Sequence, residues 1–138
     1  MKNVLILCTG NSCRSQMAQG WLSFLLREKV NVFSAGTHPE PVNPFAIEAM
    51  NDVGIDISYY ESNKIDDYMG INFDFIITVC DNAREICPYF PSHAKKIHHS
   101  FLDPANATGT YSDQLKVYID VRDKIKEYLQ KFCEDYFF

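Results

Sequence analysis

The chain has 138 residues, 46% hydrophobic and 22% charged, which are ordinary values for a globular protein; they exclude a disordered chain and fit one domain over residues 1–138. A formal net charge of −5 sets aside a general nucleic-acid binder or an anionic-membrane binder. It leaves room for a small anion, which a few backbone N–H groups and one arginine can hold locally.

No apolar run approaches the roughly 20 residues that span a bilayer. The start, Met1-Lys2-Asn3-Val4-Leu5-Ile6-Leu7, is too short and lacks the small-residue cleavage site of a signal peptide. The expectation is a soluble, cytoplasmic monomer. Its five cysteines, Cys8, Cys13, Cys80, Cys87 and Cys133, then point to metal or redox chemistry rather than a structural disulfide framework.

In chain order, Val4-Leu5-Ile6-Leu7 is a continuous apolar run, as expected of a strand buried on both faces. A loop with Gly10, Asn11 and Ser12 follows, then a helical pattern over about residues 15–28 with Met17, Trp21, Leu22 and Leu25 on one face. Residues 30–33 form a second strand, closed by Ser34-Ala35-Gly36. Asn43-Pro44 reads as N-cap and first helical position, with Ile47 and Met50 at helical spacing and Gly54 as the stop. Residues 59–70 are polar and read as a loop with a short helix. Residues 73–79 are the strongest strand, and 96–101 a shorter fourth. A last helix starts near Ser112, with Leu115, Tyr118, Ile119, Arg122, Ile125, Leu129 and Phe132 along one stripe. Strands alternating with helices predict a small α/β domain with a parallel sheet.

The string Cys8-Thr9-Gly10-Asn11-Ser12-Cys13-Arg14-Ser15 lies between the first strand and the first helix. A chain turning there gathers free N–H groups at a helix start, a cradle for a tetrahedral oxyanion made by Thr9, Gly10, Asn11, Ser12, Cys13 and Arg14. Arg14 can add a bidentate grip. Cys8 sits at the mouth, where the same field is expected to lower its thiol pKa from about 8.5 toward ~3.5–7.5. Ser15 is expected to donate a hydrogen bond to that thiolate.

Cys80 ends the strong strand, so the parallel-sheet reading brings it out at the same sheet edge as Cys8. A second thiol beside a nucleophilic one suggests disulfide exchange. Cys87 follows after a polar segment that is expected to be mobile. Zinc is disfavoured: paired ligands usually stand two residues apart, and the gaps here are wider. Asp103-Pro104 follows a strand end; its carboxyl is either a turn residue or a proton donor. Cys13 and Cys133 read as packing residues. His98 and His99 are adjacent on a strand and face opposite ways, so they cannot form one site.

The segment from Cys8 to Ser15 resembles the phosphate-binding loop of low-molecular-weight protein tyrosine phosphatases and of the arsenate reductases that share their fold. Through Ser15-Gln16-Met17-Ala18 it is closer to the reductases, since the phosphatases usually carry Pro where Gln16 stands. The likeness continues at Ser34-Ala35-Gly36, Val42-Asn43-Pro44, Ala46-Ile47-Glu48-Ala49-Met50, Thr78-Val79-Cys80 and Asp103-Pro104. It implies a four-stranded parallel sheet flanked by helices. It also implies Cys8 as nucleophile, Asp103 as the acid for the leaving oxygen, and Cys80 and Cys87 as the resolving pair of a thioredoxin-coupled arsenate reductase. That chemistry needs no metal or organic cofactor, and a disulfide formed by that pair is expected to loosen its segment for thioredoxin.

In family members that bind potassium near the loop, carboxylates help hold the ion; Gln19 and Asn63, at the matching positions, are neutral amides, beside Asn11 and Ser34. Ala105 and Asn106 stand where the phosphatases place aromatic residues, which weighs against a tyrosine phosphatase. The competing readings are a phosphatase using Cys8, Arg14 and Asp103 alone, and a non-enzymatic anion- or redox-sensing module.

Overall fold

β1 (Lys2–Cys8), β2 (Val30–Gly36), β3 (Phe75–Thr78) and β4 (Lys95–His98) form one parallel sheet in the order β2-β1-β3-β4. The computed structural model describes residues 1–81 and 93–138. β1 lies inside the sheet, and Val4, Leu5, Ile6 and Leu7 are wholly buried, which is why that stretch is apolar without alternation. β4 is an edge strand and opens with two exposed lysines, Lys95 and Lys96, a charge pattern that discourages pairing with another chain.

Both later strands are shorter than expected. After β4 the chain leaves the ladder but stays tied to the neighbouring strand end, with His99 N–H donating to Thr78 O (3.0 Å) and Phe101 N–H to Val79 O (3.1 Å).

Among the described residues, three helices pack around the sheet. α1 (Arg14–Leu26) buries Met17, Trp21 and Leu22 as expected, while Leu25 is only half-buried. α2 (Pro44–Asn51) starts as its sequence predicts: the Asn43 side chain accepts the Phe45 N–H at 2.8 Å and Pro44 fills the first position. The expected short helix in the polar loop is a 3-10 turn over Ile65–Tyr68.

α3 (Tyr111–Tyr136) begins at a reciprocal cap: Thr110 Oγ1 accepts the Asp113 N–H, and the Asp113 carboxylate accepts the Thr110 N–H, each at 3.1 Å. Its buried stripe includes Tyr118, Arg122, Ile125, Leu129 and Phe132; Val121 and Cys133 are buried too, while Leu115 and Ile119 are only partly covered. Arg122 ties the helices together. Its guanidinium donates to Ala49 O (2.9 Å) and to the Asp52 carboxylate (3.2 Å), and its own carbonyl accepts the Trp21 indole N–H (3.1 Å).

The strand order decides where a site can form. The chain leaves β1 toward β2 on one side, and the neighbouring β3 is followed by β4 on the other. The carboxyl ends of β1 and β3 therefore flank the point where the strand order reverses, the place at which open α/β sheets form a crevice. Leu7 pairs with Thr78 in register, which sets Cys8, the last residue of β1, close to Val79 and Cys80.

Thr110→Ala removes one half of the α3 cap. It is expected to lower the unfolding free energy by about 1 kcal/mol in a urea titration, with an unchanged slope. An unchanged midpoint would show that the cap contributes nothing.

Candidate active site

The loop between β1 and α1 is turned inside out by its neighbours. Thr9 O accepts the His38 N–H (2.9 Å), Gly10 O the Glu40 N–H (2.8 Å), and Ser12 O the Asn43 N–H (2.8 Å). Asn11 O accepts from Ser62 Oγ (2.7 Å) and Gln16 Nε2 (2.8 Å). In a planar trans peptide the N–H points opposite to the C=O. Four carbonyls drawn outward therefore turn the N–H groups of Gly10, Asn11, Ser12 and Cys13 toward the loop's centre, where Cys8 lies. That is the nest of an oxyanion site.

Asn11 fixes the turn. Its φ of +47° is left-handed, a region that Asn tolerates better than most residues. It is completely buried, and its carbonyl and both ends of its side-chain amide are bonded. Besides the two bonds to its carbonyl, its side-chain Oδ1 accepts the Asn63 N–H and its Nδ2 donates to Ser15 Oγ, both at 2.8 Å. Ser62 also bonds to Glu40 O, and Gln16 Nε2 to Glu61 O (3.1 Å), so the 61–63 segment grips the loop from outside. Gly36 lets β2 come this close: a Cβ there would stand 2.5 Å from Thr9 O and 2.8 Å from Asn11 N, closer than a real side chain can sit.

Arg14, at the start of α1, is held by its fork. One terminal nitrogen donates to Phe101 O (3.1 Å) and the other lies 3.5 Å from Asp103 Oδ2. Asp103 is partly exposed at the mouth, and its Oδ1 accepts the Ala105 N–H (3.0 Å), so it is at once a turn residue and a neighbour of the arginine. The string and the acid therefore meet in one place.

Cys80 arrives as the sheet order demands. Its side chain is near enough to that of Cys8 to act on its thiol, and its sulfur lies 3.3 Å from Thr9 Oγ1. That proximity corrects the expected Cys8 acidity. The hydrogen bond with Cys80 raises the Cys8 thiol, burial raises it further, and the Arg14 guanidinium and Thr9 N–H pull it down. The expected lowering influences are present, but two thiols this close titrate as a pair, and the second proton is hard to remove beside the first charge.

Ser15 does not join them. The groups acting on Cys8 among the described residues are Cys80, Arg14 and Thr9, while Ser15 is buried and accepts from Asn11. Cys13 precedes the helix, and burial pushes its thiol up. Cys133 is pushed up to about 11, again by burial; both fit the packing roles expected of them. Cys87 and the polar segment before it, 82–86, lie outside the described residues.

The neutral amides are bonded to protein. Ser34 Oγ donates to Gln19 Oε1 (2.5 Å), and Asn63 Nδ2 donates to Glu61 O (3.1 Å). Among the described residues no group of three His, Cys, Asp or Glu is placed to hold a metal, and no helix is long and apolar enough to cross a membrane.

The family model for low molecular weight phosphotyrosine protein phosphatases matches residues 3–136. The chain belongs to that family. The expected resemblance and fold are thus shown. Among its relatives are an arsenate reductase of Bacillus licheniformis, 45% identical over 133 residues, and one of Bacillus subtilis, 44% identical; each alignment covers 96% of both chains. A solved structure described as an arsenate reductase in the phosphate binding state matches with a TM-score of 0.83 and 32% identity, covering 98% of each chain. The loop, the arginine and the two thiols are therefore the parts of this family member to be explained.

Sequence reasoning missed Ser62, the tie made by Gln16, and a pair of bonds from His98 to the two sides of Cys80. Ser62 lies in a polar stretch with no motif. Gln16 carried a signal, because it stands where the phosphatases place proline, a residue that cannot donate.

Asn11→Ala removes both side-chain bonds and puts a Cβ-bearing residue without them at a left-handed φ. Phosphate protection of Cys8 against iodoacetamide is expected to weaken by about five- to a hundredfold, a loss of roughly 1–3 kcal/mol for the unsatisfied groups. Asn11→Gly, which keeps the backbone angle, should fall between. Wild-type protection in Asn11→Ala would show that the loop holds its shape without these bonds.

Proposed function

We propose that this chain reduces arsenate to arsenite by passing a sulfur bond from Cys8 to Cys80 and then to Cys87, and that a thioredoxin-type dithiol restores it. The observation that carries the reading is the closeness of Cys8 and Cys80 side chains inside an oxyanion cradle. The relatives named arsenate reductases, at about this full length, support the substrate. Hydrolysis of a phosphate ester needs no second thiol there.

Arsenate binds to the inward N–H groups and Arg14. The Cys8 thiolate attacks arsenic, forming an S–As bond, while Asp103 supplies the proton with which one oxygen leaves as water; without it hydroxide is a poor leaving group. Cys80, whose sulfur the Thr9 hydroxyl can stabilise as a thiolate, attacks the Cys8 sulfur. The Cys8–Cys80 disulfide forms, the S–As pair stays on arsenic, and As(V) becomes As(III), which departs as arsenite. Cys87 then attacks the Cys80 sulfur, freeing Cys8 and leaving a Cys80–Cys87 disulfide for the external dithiol to reduce by exchange. The reading needs no resident metal, monovalent cation or organic cofactor, and places the protein as a monomer in the reducing cytosol.

A phosphate-ester hydrolase is the second reading. It is favoured by the family's phosphatase members and by the fact that Cys8, Arg14 and Asp103 could perform it alone. An assay with arsenate, thioredoxin, its reductase and NADPH separates the two. Cys8→Ser and Cys80→Ser should each reduce NADPH consumption to under about 1% of the parent, with Cys80→Ser still binding phosphate. Full arsenate turnover in Cys80→Ser would refute the relay; ester hydrolysis without arsenate turnover in the parent would favour the hydrolase.

A further inference from the structure

The sulfur of Cys80 has to be held in line with Cys8, and Cys80 stands two residues beyond the last ladder residue of β3, just after Val79, whose N–H donates to Leu7 O (3.0 Å) and whose carbonyl accepts the Phe101 N–H (3.1 Å). The neighbouring edge strand adds a side-chain tie. His98, the last residue of β4, lies opposite Thr78 in register. Its Nδ1 is 2.6 Å from Thr78 Oγ1, and its Nε2 is 3.1 Å from Asp81 Oδ1. The ring thus bonds to the residue two before Cys80 and to the residue just after it.

The roles follow from the groups themselves. The Asp81 carboxylate only accepts, so Nε2 carries the proton and donates to it. In the neutral ring Nδ1 is then the acceptor, and the Thr78 hydroxyl donates to it at 2.6 Å in preference to Ile97 O, which lies farther off at 3.4 Å. One ring with one proton therefore satisfies both bonds. His99 takes no part: it turns the other way and stacks on Tyr128, with ring centroids 4.5 Å apart and an interplanar angle of 24°. Asp81 is largely exposed whereas His98 is mostly covered, so the ring is the fixed member and the carboxylate the one held.

We propose that His98 is a positioning residue for Cys80: by bonding to Thr78 and Asp81 on either side, it holds the end of β3 so that the Cys80 sulfur rests against Cys8 and Thr9. It never touches arsenic or sulfur. This rests on the thiol relay for its use in turnover, but the geometry can be tested without arsenate.

The test measures the rate at which diamide, a two-electron thiol oxidant that is reduced to its hydrazine, converts Cys8 and Cys80 to a disulfide. The chain carries Cys87→Ser so that the bond cannot pass on, and peptide mass mapping identifies the link. His98→Ala should slow Cys8–Cys80 formation by roughly tenfold, as expected when a reacting group is displaced by a fraction of an ångström. His98→Gln, whose amide can accept from Thr78 and donate to Asp81, should recover most of the rate.

An unchanged rate in His98→Ala, or an equal loss in His98→Gln, would overturn the proposal, the latter showing that the ring acts only by packing. If His98→Ala does not fold, Asp81→Ala decides at the exposed end of the same bond: a slower rate supports the proposal and an unchanged one overturns it. In the coupled assay, with Cys87 restored, His98→Ala should lower kcat for arsenate and leave KM in place. A parent that forms the disulfide but never turns over arsenate would sink the relay alone. A parent that turns over normally beside an unaffected His98→Ala would sink this proposal alone.

Discussion

A single left-handed residue sets the shape of the site. Asn11 at φ +47° reverses the chain between β1 and α1, and the bonds to its carbonyl and both ends of its amide hold it there. Turning the loop carbonyls outward toward 37–43 and 62 forces the N–H groups inward. The anion cradle is therefore a consequence of what surrounds the loop as much as of the loop itself. Gly36 shows how tight the fit is, since even a methyl group on β2 would collide with the loop backbone. A net charge of −5 is no obstacle to an anion, because attraction at this range comes from fixed N–H dipoles and Arg14 rather than from the overall field.

Sheet topology adds the second thiol. Because β1 and β3 are neighbours whose chains depart to opposite sides, whatever follows β3 must face the loop that follows β1. In a family whose cradle can serve hydrolysis, placing a sulfur at that point changes the chemistry available. The cradle holds the oxyanion and the adjacent thiol can take the bond from Cys8. The same closeness makes Cys8 harder to ionise than an isolated cysteine in such a field. Proton sharing between the two sulfurs is the cost of having the second nucleophile already in place.

Much of this was legible in the residues. The buried strand 4–7, the Asn43-Pro44 helix start and the unbroken apolar run before Thr78 each state their structure through local rules that tertiary contacts did not override. The Cys8 to Ser15 string was legible because a cradle needs small, turn-forming residues at fixed offsets from a nucleophile and an arginine. What lay hidden depended on long-range contacts. Ser62 is fifty-one residues from the carbonyl it bonds, and nothing in its own neighbourhood marks it. His98 was read correctly as facing away from His99, but the partners on its side belong to another strand and to the residue after Cys80. Ser15 sits at the expected position, and its hydroxyl accepts from Asn11, a tie to the loop's left-handed residue that the linear string does not reveal.

If the neighbouring sulfurs of Cys8 and Cys80 carry electrons to a bound oxyanion, the disulfide between them can be trapped. The Cys87→Ser chain would be fully reduced, freed of reductant, given one equivalent of arsenate, quenched in acid and mapped by mass spectrometry while arsenite is counted. A Cys8–Cys80 disulfide and arsenite should appear in equal amounts. Arsenite released while both thiols remain free, or a disulfide joining any other pair, would contradict the relay.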